Sequence, residues 1–169
     1  LFAVSANAQT VKVMSYNIRY DTEADGVNQW PKRIEKVVQL IKSHNPDLLG
    51  VQEALHNQVV DLQESLPDYH YVGVGRDDGK EKGEYSAIFY KKNKFEILDQ
   101  KTRWLSETPE MPGSKSWDAA ITRVVTYAVL KEKATGKSFA IFNTHFDHIG
   151  KEARKNSAQL IKKFVKDLN

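Results

Sequence analysis

Three short, largely apolar segments of this chain each end on a polar side chain. They run through residues 13–17, 48–53 and 140–145, and they finish with an amide, a carboxylate and an imidazole respectively. Segments of this kind are typical of strands, and rigid strands can hold polar groups accurately. An amide, a carboxylate and an imidazole are part of the set of side chains that can bind a hard divalent cation and a phosphate oxygen. The pattern therefore predicts one polar site built at strand ends.

The bulk composition is that of one globular domain. The chain has 169 residues, 40% of them hydrophobic, and a chain of this size buries roughly two thirds of its unfolded surface. Its 25 basic and 22 acidic side chains give a formal charge of +3. This charge tolerates an anionic substrate but does not by itself indicate nucleic-acid binding. Because the sequence contains no cysteine, it excludes disulfides, thiolate catalysis and Cys-ligated zinc.

The first eight residues resemble the end of a signal peptide. They are mostly apolar and close with the small-x-small triplet Ala6-Asn7-Ala8, as at a signal-peptidase site. We therefore expect residues 1–8 to be a signal-peptide remnant and the protein to be exported, periplasmic or extracellular, after cleavage near Ala8-Gln9. A disordered N-terminus is the alternative. No segment approaches the roughly 20 apolar residues of a spanning helix, so no transmembrane segment is expected.

Periodicity predicts alternating strands and helices in the first half. The predicted elements are a strand at 11–16, a polar loop at 21–29, a helix from Pro31 to Asn45, a strand at 47–52, a helix ending before Pro67 and a strand at 69–75. Apolar residues from Ile34 to Ile41 form one helical stripe. The strand at 47–52 is almost continuously apolar, which predicts cover on both faces.

The second half is predicted to open as antiparallel sheet. The predicted elements are a charged loop at 76–84, paired strands at 85–90 and 95–105, a surface loop at 106–118, a hairpin of 121–131 with 138–144, and a helix at 151–168 with a stripe from Ser157 to Leu168. The element order predicts an α/β (α+β) domain with sheets inside and helices outside.

Three strand-end side chains are the main candidates for chemistry. Glu53 follows a strand directly, where a carboxylate can bind Mg²⁺ or be an ordinary solvated turn residue. Asn17 can join it or simply form a turn. His145 can donate to a phosphoryl oxygen or act as general acid or base, or be structural. Asn143 precedes it by two residues and so points to the same face.

Taken together, these motifs resemble those of a known superfamily. Ser15-Tyr-Asn17-Ile, Val51-Gln52-Glu53 and Asn143-Thr-His145-Phe-Asp147-His148 occur in the order and spacing seen in the endonuclease/exonuclease/phosphatase superfamily of metal-dependent phosphoesterases. The likeness is closest to secreted bacterial members carrying Trp30-Pro-x-Arg33 and Gly83-Glu84-Tyr85-Ser-Ala-Ile-Phe-Tyr90. The resemblance implies a four-layer α/β/β/α sandwich of the deoxyribonuclease-like type.

The resemblance also implies roles, residue by residue. Glu53 matches the principal metal carboxylate, and Asn17 matches its neighbour around Mg²⁺ or Mn²⁺. With His145, which matches the histidine that contacts the scissile phosphate, they form the implied catalytic set. The residues implied to bind phosphate or substrate are Arg123, Asn143, Asp118 and Glu84, the last two with solvated loop acids as the alternative. Arg154 is expected to brace the turn at 147–148, or to be a plain surface residue.

Two motifs of similar enzymes do not occur in the 169 residues. They are a Gly-Asp-x-Asn motif on the strand after the last helix and a Ser-Asp-His near the C-terminus, which supply the water-activating carboxylate, another metal ligand and a catalytic imidazole. The resemblance therefore implies that residues 9–169 are the N-terminal two thirds of one domain, incomplete at the C-terminus. We expect the chain alone to be inactive or nearly so, and its open sheet edge to be covered by further chain or by self-association.

The sequence leaves the substrate open. Nucleic acid, a sugar or inositol phosphate and a phospholipid head group are all compatible with a phosphoesterase. A non-catalytic module that binds a phosphate ligand or a protein on the same scaffold is the alternative function. Basic and aromatic residues between 76 and 118 form a candidate selectivity surface, with a solvated loop as the alternative. They include Arg76, Lys80, Arg103, Trp104, Lys115 and Trp117.

Overall fold

Residues 10–168 are described in the computed structural model, and they form two β-sheets flanked by helices. The expected signal-peptide remnant lies outside these residues. The elements are β1 (Val13–Asn17), a 3₁₀ helix (Glu23–Asn28), α1 (Trp30–His44), β2 (Leu48–Gln52), α2 (His56–Ser65), β3 (Tyr69–Val72), β4 (Ile88–Lys91), β5 (Phe95–Trp104), β6 (Val124–Glu132), β7 (Ser138–Thr144) and α3 (Lys151–Asp167). None of the helices described in residues 10–168 is long and apolar enough to cross a membrane.

The first sheet has the strand order β1-β2-β4-β3. Strands β1 and β2 are parallel, and β4 runs antiparallel to both β2 and β3. The predicted stripe of α1 packs on this sheet through Val37, Val38 and Ile41, and Leu62 of α2 joins the same core. Every residue of β2 is buried, so the predicted cover on both of its faces is confirmed.

The second sheet is the antiparallel set β5-β6-β7, and it includes the predicted hairpin. Its inner face packs against the first sheet, where Leu48 and Ile88 meet Phe95 and Leu130. Its outer face is covered by α3, whose Phe164 joins a separate apolar cluster. Helices therefore flank two stacked sheets, which confirms the predicted α/β/β/α layering.

The predicted pairing of strands 85–90 and 95–105 is wrong. Strand β4 lies inside the first sheet, between β2 and β3, whereas β5 starts the second sheet. The consecutive residues Ile88 and Phe89 of β4 are both fully buried, so this strand needs cover on both faces. Strand β5 exposes most of its middle residues and is suited to an edge. The short connection after β4 therefore carries the chain from one sheet to the other.

Two smaller expectations also change. The predicted loop at 21–29 contains the 3₁₀ helix, whose first turn is capped when the Thr22 side chain accepts a hydrogen bond from the Ala24 amide. The stripe of α3 is only partly buried. Ser157 and Phe164 are buried as expected, but Val165 is 43% exposed, because the three-stranded sheet covers only part of this helix.

Candidate active site

The carboxyl ends of β1 and β2 bring Asn17 and Glu53 together. The two strands are parallel, with Asn17 paired to Gln52, so the residue after β2 emerges beside Asn17. The Asn17 side-chain amide donates to Glu53 Oε1 at 2.8 Å, and its Oδ1 accepts from the Arg19 backbone amide at 3.0 Å. The orientation of the Asn17 amide is therefore fixed from both of its ends.

Glu53 has an unusual backbone conformation. Its φ angle is +63°, in the left-handed region that non-glycine residues seldom occupy. Such conformations cost free energy and cluster at functional sites. The turn is held by the Ala54–Tyr85 bridge, and the Glu53 side chain keeps 18% of its surface exposed. The fold thus holds one partly accessible carboxylate in a strained position.

On the second sheet, Arg123 joins two imidazoles. The Arg123 side chain is 5% exposed, and its guanidinium contacts His145 Nδ1 at 3.0 Å and His148 Nδ1 at 3.3 Å. Because a guanidinium can only donate hydrogen bonds, both Nδ1 atoms must be acceptors. In this arrangement the His145 ring, whose Nδ1 accepts from Arg123, carries its proton on Nε2.

Electrostatics supports the neutral form of His145. Burial, followed by the positive charge of Arg123, lowers the pKa of His145 below its ordinary value. Burial also lowers the pKa of Arg123, with the charge of Arg76 as the next cause, but an arginine stays protonated in proteins. At neutral pH the pair is consequently a cation beside a neutral imidazole.

The two sheets meet at this point. His145 Nδ1 lies 4.0 Å from Glu53 Oε1, the same oxygen that accepts the Asn17 amide. A series of neighbouring side chains thus runs from Asn17 to Arg123: Asn17 is hydrogen-bonded to Glu53, His145 is hydrogen-bonded to Arg123, and Glu53 and His145 lie 4.0 Å apart. The structure brings together the three residues of the predicted catalytic set and the predicted phosphate-binding arginine.

Asn143 lies beneath this cluster and connects the sheets. Its Oδ1 accepts from the Gln52 amide at 2.6 Å, and its Nδ2 donates to the carbonyls of Val51 and Ala87, each at 2.8 Å. A Cβ atom at Gly50 would come within 2.9 Å of the Asn143 side chain, so glycine is needed there. The structure gives this buried amide a bracing position. Its predicted contact with substrate stays a prediction.

The turn after β7 is organised by Asp147. Its carboxylate accepts four backbone N–H groups, from Ala120, Ile121, Ile149 and Gly150, at 2.7–3.3 Å. Burial alone would raise its pKa, but these donors prevail and lower the pKa of Asp147 to about 2. Arg154 donates to the Asp147 carbonyl at 3.0 Å, which confirms the expected brace. This anchored turn fixes the position of His148.

Asp118 and Glu84, for which the resemblance implies substrate contacts, both have partners within the protein. Asp118 accepts from the backbone amides of Ala153 at 2.7 Å and Glu152 at 3.3 Å, and these bonds, that from Ala153 first, lower its pKa. Asp118, from the loop before β6, therefore caps the start of α3, whose Glu152 and Ala153 amides lie 34 and 35 residues further along the chain. Glu84 accepts from Arg76 Nη1 at 2.7 Å. Substrate contacts for both acids stay predictions.

Sequence reasoning placed Arg76 only in the candidate selectivity surface between residues 76 and 118, with no specific partner. Together with Glu84, Arg123 and His145 it lines a small cavity. The proposed selectivity surface does not form as one unit, because Trp104 is buried and donates its indole N–H to the Arg76 carbonyl at 2.6 Å. The only available signal was the charged, glycine-containing loop at 76–84.

A divalent cation fits this site only in part. Among residues 10–168, no group of three His, Cys, Asp or Glu side chains is arranged to hold a metal ion. Glu53 supplies one carboxylate, and the neighbouring Asn17 turns its amide nitrogen toward it. Mg²⁺ commonly binds through one or two carboxylates and fills its shell with water and substrate oxygens. The residues present fit a cation held in that way.

Comparison with known proteins gives one consistent result. A sequence model of the Endonuclease/Exonuclease/phosphatase family matches residues 14–163. An endonuclease/exonuclease/phosphatase from Bacteroides vulgatus is 51% identical, with a TM-score of 0.91 over 93% of this chain and 60% of its own. A mannosyl-6-phosphatase from Bacteroides thetaiotaomicron is 45% identical, with a TM-score of 0.90 over 94% of this chain and 60% of its own.

A curated relative is more distant. The CCR4-Not complex 3'-5'-exoribonuclease subunit Ccr4 of Mycosarcoma maydis is 26% identical over 169 residues, which cover 85% of this chain and 25% of that protein. The chain spans 60% of the length of the two solved structures.

Proposed function

Because this chain belongs to the endonuclease/exonuclease/phosphatase family, we propose that it carries the metal-binding and phosphate-binding residues of a metal-dependent phosphoesterase. Similar proteins include a phosphatase and an exoribonuclease, both of which act on phosphate esters. The observation that carries the proposal is the series of neighbouring side chains from Asn17 through Glu53 and His145 to Arg123, which brings a cation ligand close to phosphate-binding groups across two sheets.

Glu53 would hold Mg²⁺ or Mn²⁺ through its carboxylate, and Asn17 would lie beside the cation and orient that carboxylate. A bound divalent cation neutralises charge that develops on phosphoryl oxygens and lowers the pKa of bound water. The fixed Asn17 amide keeps Glu53 Oε1 in place, and the strained turn directs the carboxylate out of the strand. The chain thus presents a preorganised ligand, which avoids reorganisation during the reaction.

His145 and Arg123 would act on the phosphate side. Because Nδ1 of His145 accepts from Arg123, its Nε2 carries the proton and can donate to a phosphoryl oxygen. Arg123 fixes this tautomer and adds positive charge beside it, while its own Nε lies inside the protein, 3.8 Å from the Asp147 carboxylate.

The substrate class is open among nucleic acid, a sugar or inositol phosphate and a phospholipid head group. Identity of 45% to a mannosyl-6-phosphatase supports a sugar phosphate as the first candidate. A screen of the full-length gene product on a sugar phosphate, a nucleic-acid diester and a phospholipid, with and without chelator, tests the proposal. Hydrolysis that persists unchanged after chelation contradicts the metal mechanism.

The role of Glu53 has a direct test. Replacement Glu53→Gln should lower Mg²⁺-dependent hydrolysis by the full-length gene product about 100- to 1,000-fold, because it removes the charged ligand at the site. The matched control is Glu64→Gln on the exposed face of α2, which should leave the rate unchanged. Equal rates for Glu53→Gln and the wild type would remove Glu53 from the catalytic set.

Metal binding by the present chain gives a second readout. Calorimetric titration with Mn²⁺ should show weak binding to the wild-type chain. Binding should be absent in Glu53→Gln, because this variant lacks the carboxylate that, held by Asn17, is the proposed ligand. Assaying hydrolysis by the same chain tests the expectation that it is inactive alone. Metal and phosphate binding by a full-length gene product that lacks hydrolysis would favour the non-catalytic binding module.

A further inference from the structure

A fully buried glutamine of α2 connects the segments that follow β1 and β2. The Gln58 residue is 0% exposed. Its Oε1 accepts hydrogen bonds from the backbone amides of Asp21 at 2.9 Å and Leu55 at 3.0 Å, and its Nε2 donates to the Arg19 carbonyl at 2.9 Å. Arg19 and Asp21 belong to the loop after β1, whereas Leu55 belongs to the turn after β2. One side chain therefore joins the two segments in which the candidate metal site lies.

On the β1 side, the bonds of Gln58 fix the peptide groups around Arg19. The φ angle of Arg19 is +60°, in the left-handed region that non-glycine residues seldom occupy. Its backbone amide donates to Asn17 Oδ1 at 3.0 Å. Its carbonyl accepts from Gln58 and also from Arg33 Nη2, at 2.8 Å. Because a strained conformation persists only where the surroundings hold it, these bonds keep the Arg19 amide where it orients Asn17.

On the β2 side, Gln58 fixes the turn that presents the metal carboxylate. Glu53 also has a left-handed backbone, with φ at +63°, and Leu55 follows it by two residues. The Leu55 backbone amide shares the Gln58 Oε1 atom with the Asp21 amide, so both lone pairs of this oxygen are used. The Asn17 side chain then bonds Glu53 Oε1 at 2.8 Å. The two segments are thus linked once through Gln58 and once through the site itself.

Helix capping alone does not account for these contacts. Gln58 is the third residue of α2, and its bond from the Leu55 amide is one half of a capping box. Its other two bonds leave the helix and reach the loop after β1. Gln63 of the same helix differs, because its side-chain amide donates to the Tyr69 carbonyl at 2.6 Å. That bond ties α2 to the start of β3 and reaches neither segment of the site.

We propose that Gln58 is a positioning residue of the metal site, which holds Asn17 and the Glu53 carboxylate in the arrangement that binds Mg²⁺. Without its three bonds, the strained turns after β1 and β2 are free to relax independently, and the two site residues lose their mutual orientation. Groups that orient metal ligands typically change metal affinity 10- to 100-fold when they are replaced. This inference rests on the proposed function, because it takes Glu53 to be the metal ligand.

Titration of the present chain with Mg²⁺ alone tests the proposal without catalysis. The side-chain amide signals of Asn17 are followed by NMR, which suits weak binding. Gln58→Met keeps the length and the charge of the side chain but makes none of its three hydrogen bonds. Its Mg²⁺ affinity should fall about tenfold or more, and the Asn17 amide signals should already differ before any metal is added. Loss of a helix cap alone would lower stability and change neither measurement.

A second variant retains the cap and removes only the bond to Arg19. In Gln58→Glu the introduced carboxylate can still accept from the Asp21 and Leu55 amides, but it cannot donate to the Arg19 carbonyl. These two amides, the start of a helix and the nearby Arg33 guanidinium all favour its charged form. The added negative charge by itself would strengthen Mg²⁺ binding. A fall in affinity in this variant therefore reports the lost position of the ligand.

Two controls separate positioning from general destabilisation. Gln63→Met removes one hydrogen bond from the same helix. Leu62→Ala leaves a cavity at a fully buried position of α2, which makes it a strongly destabilised control. Both controls should bind Mg²⁺ with wild-type affinity and keep the wild-type Asn17 signals, because neither residue bonds to the segments after β1 and β2.

The outcomes also separate this inference from the proposed function. Loss of affinity in both Gln58 variants, with wild-type affinity in both controls, supports the positioning role. If either folded Gln58 variant binds Mg²⁺ like the wild type while Glu53→Gln does not bind it, the metal site stands and the positioning role is overturned. An equal loss in Leu62→Ala overturns it as well, because affinity then follows stability. If Glu53→Gln binds Mg²⁺ like the wild type, the proposed metal site itself fails.

Discussion

Strand β2 has a carboxylate at each end, and the two are treated very differently by the fold. Asp47, just before the strand, accepts from the Lys12 backbone amide at 2.9 Å, Lys94 Nζ at 2.8 Å and Lys91 Nζ at 3.3 Å. Glu53, just after it, accepts one hydrogen bond among the described residues, from the Asn17 amide.

The two carboxylates also differ in electrostatics and in backbone conformation. Burial would raise the pKa of Asp47, but its hydrogen bonds with Lys94, the Lys12 amide and Lys91 lower it. Glu53 has a strained backbone instead and no lysine partner among the described contacts. The Asp47 carboxylate therefore stabilises the fold through its three donors, whereas the Glu53 carboxylate remains available to a ligand. The number of donors around a carboxylate separates the two uses better than burial does.

Removing the charge at Asp47 should produce the largest change in stability. Asp47→Asn leaves Lys91 and Lys94 without their shared carboxylate, and loss of one partner of a buried ion pair costs about 3 kcal/mol. Urea unfolding measures this difference, with Asp68→Asn as an exposed control. Mn²⁺ affinity should not change. A drop in metal affinity without a drop in stability would reverse the roles assigned to the two ends of β2.

Asp147, in the turn next to the site, resembles Asp47 in having several hydrogen-bond donors around its carboxylate. Acid unfolding should reveal how much they stabilise the fold. The folded pKa of Asp147 is about 2, below its ordinary value of 3.8. Because this pKa is lowered, the stabilisation is fully present above the ordinary value and is lost as the pH falls through about 2. Between these limits the wild type should lose about 2 kcal/mol more stability than Asp147→Asn. Parallel pH profiles for the two proteins would disprove this.

The smallest expected effect is a gain in stability at Glu53. Glu53→Gly should stabilise the chain by about 1 kcal/mol, because glycine adopts positive φ without strain. Asn45→Gly is the control, since Asn45 also has a positive φ of 45° but asparagine tolerates this region, so its gain should be smaller. Thermal unfolding measures both. A loss of stability in Glu53→Gly would mean that the Glu53 side chain stabilises the turn, and would contradict the view that its strained backbone serves only metal binding.

Some of this arrangement was predictable from local pattern. The stripe from Ile34 to Ile41 specified α1, because helical periodicity is written in adjacent residues. The continuous apolar character of β2 predicted its burial on both faces. Glu53 and Asn17 were found for a related reason, since each directly follows a predicted strand.

Other features depended on contacts that sequence spacing does not encode. Strand β4 joins the first sheet because Ile88 and Phe89 are buried on opposite faces, and local periodicity does not specify a partner strand. Asn143 was placed on the face of His145 by strand alternation, which is consistent with the observed strand. Its bonds to Val51 and Ala87 could not be foreseen, because these residues lie 92 and 56 positions away.

The sequence by itself determined the α-helices, most of the strands, the layer type and the polar side chains at the ends of β1, β2 and β7, because these follow from short-range periodicity and from motifs carried by adjacent residues. Only the tertiary structure decided which polar groups are satisfied. It gave Asp47 three donors and placed the loop residue Arg76 in the cavity with Arg123. The physical reason is that hydrogen-bond satisfaction and electrostatic coupling depend on distances between atoms that are far apart along the chain.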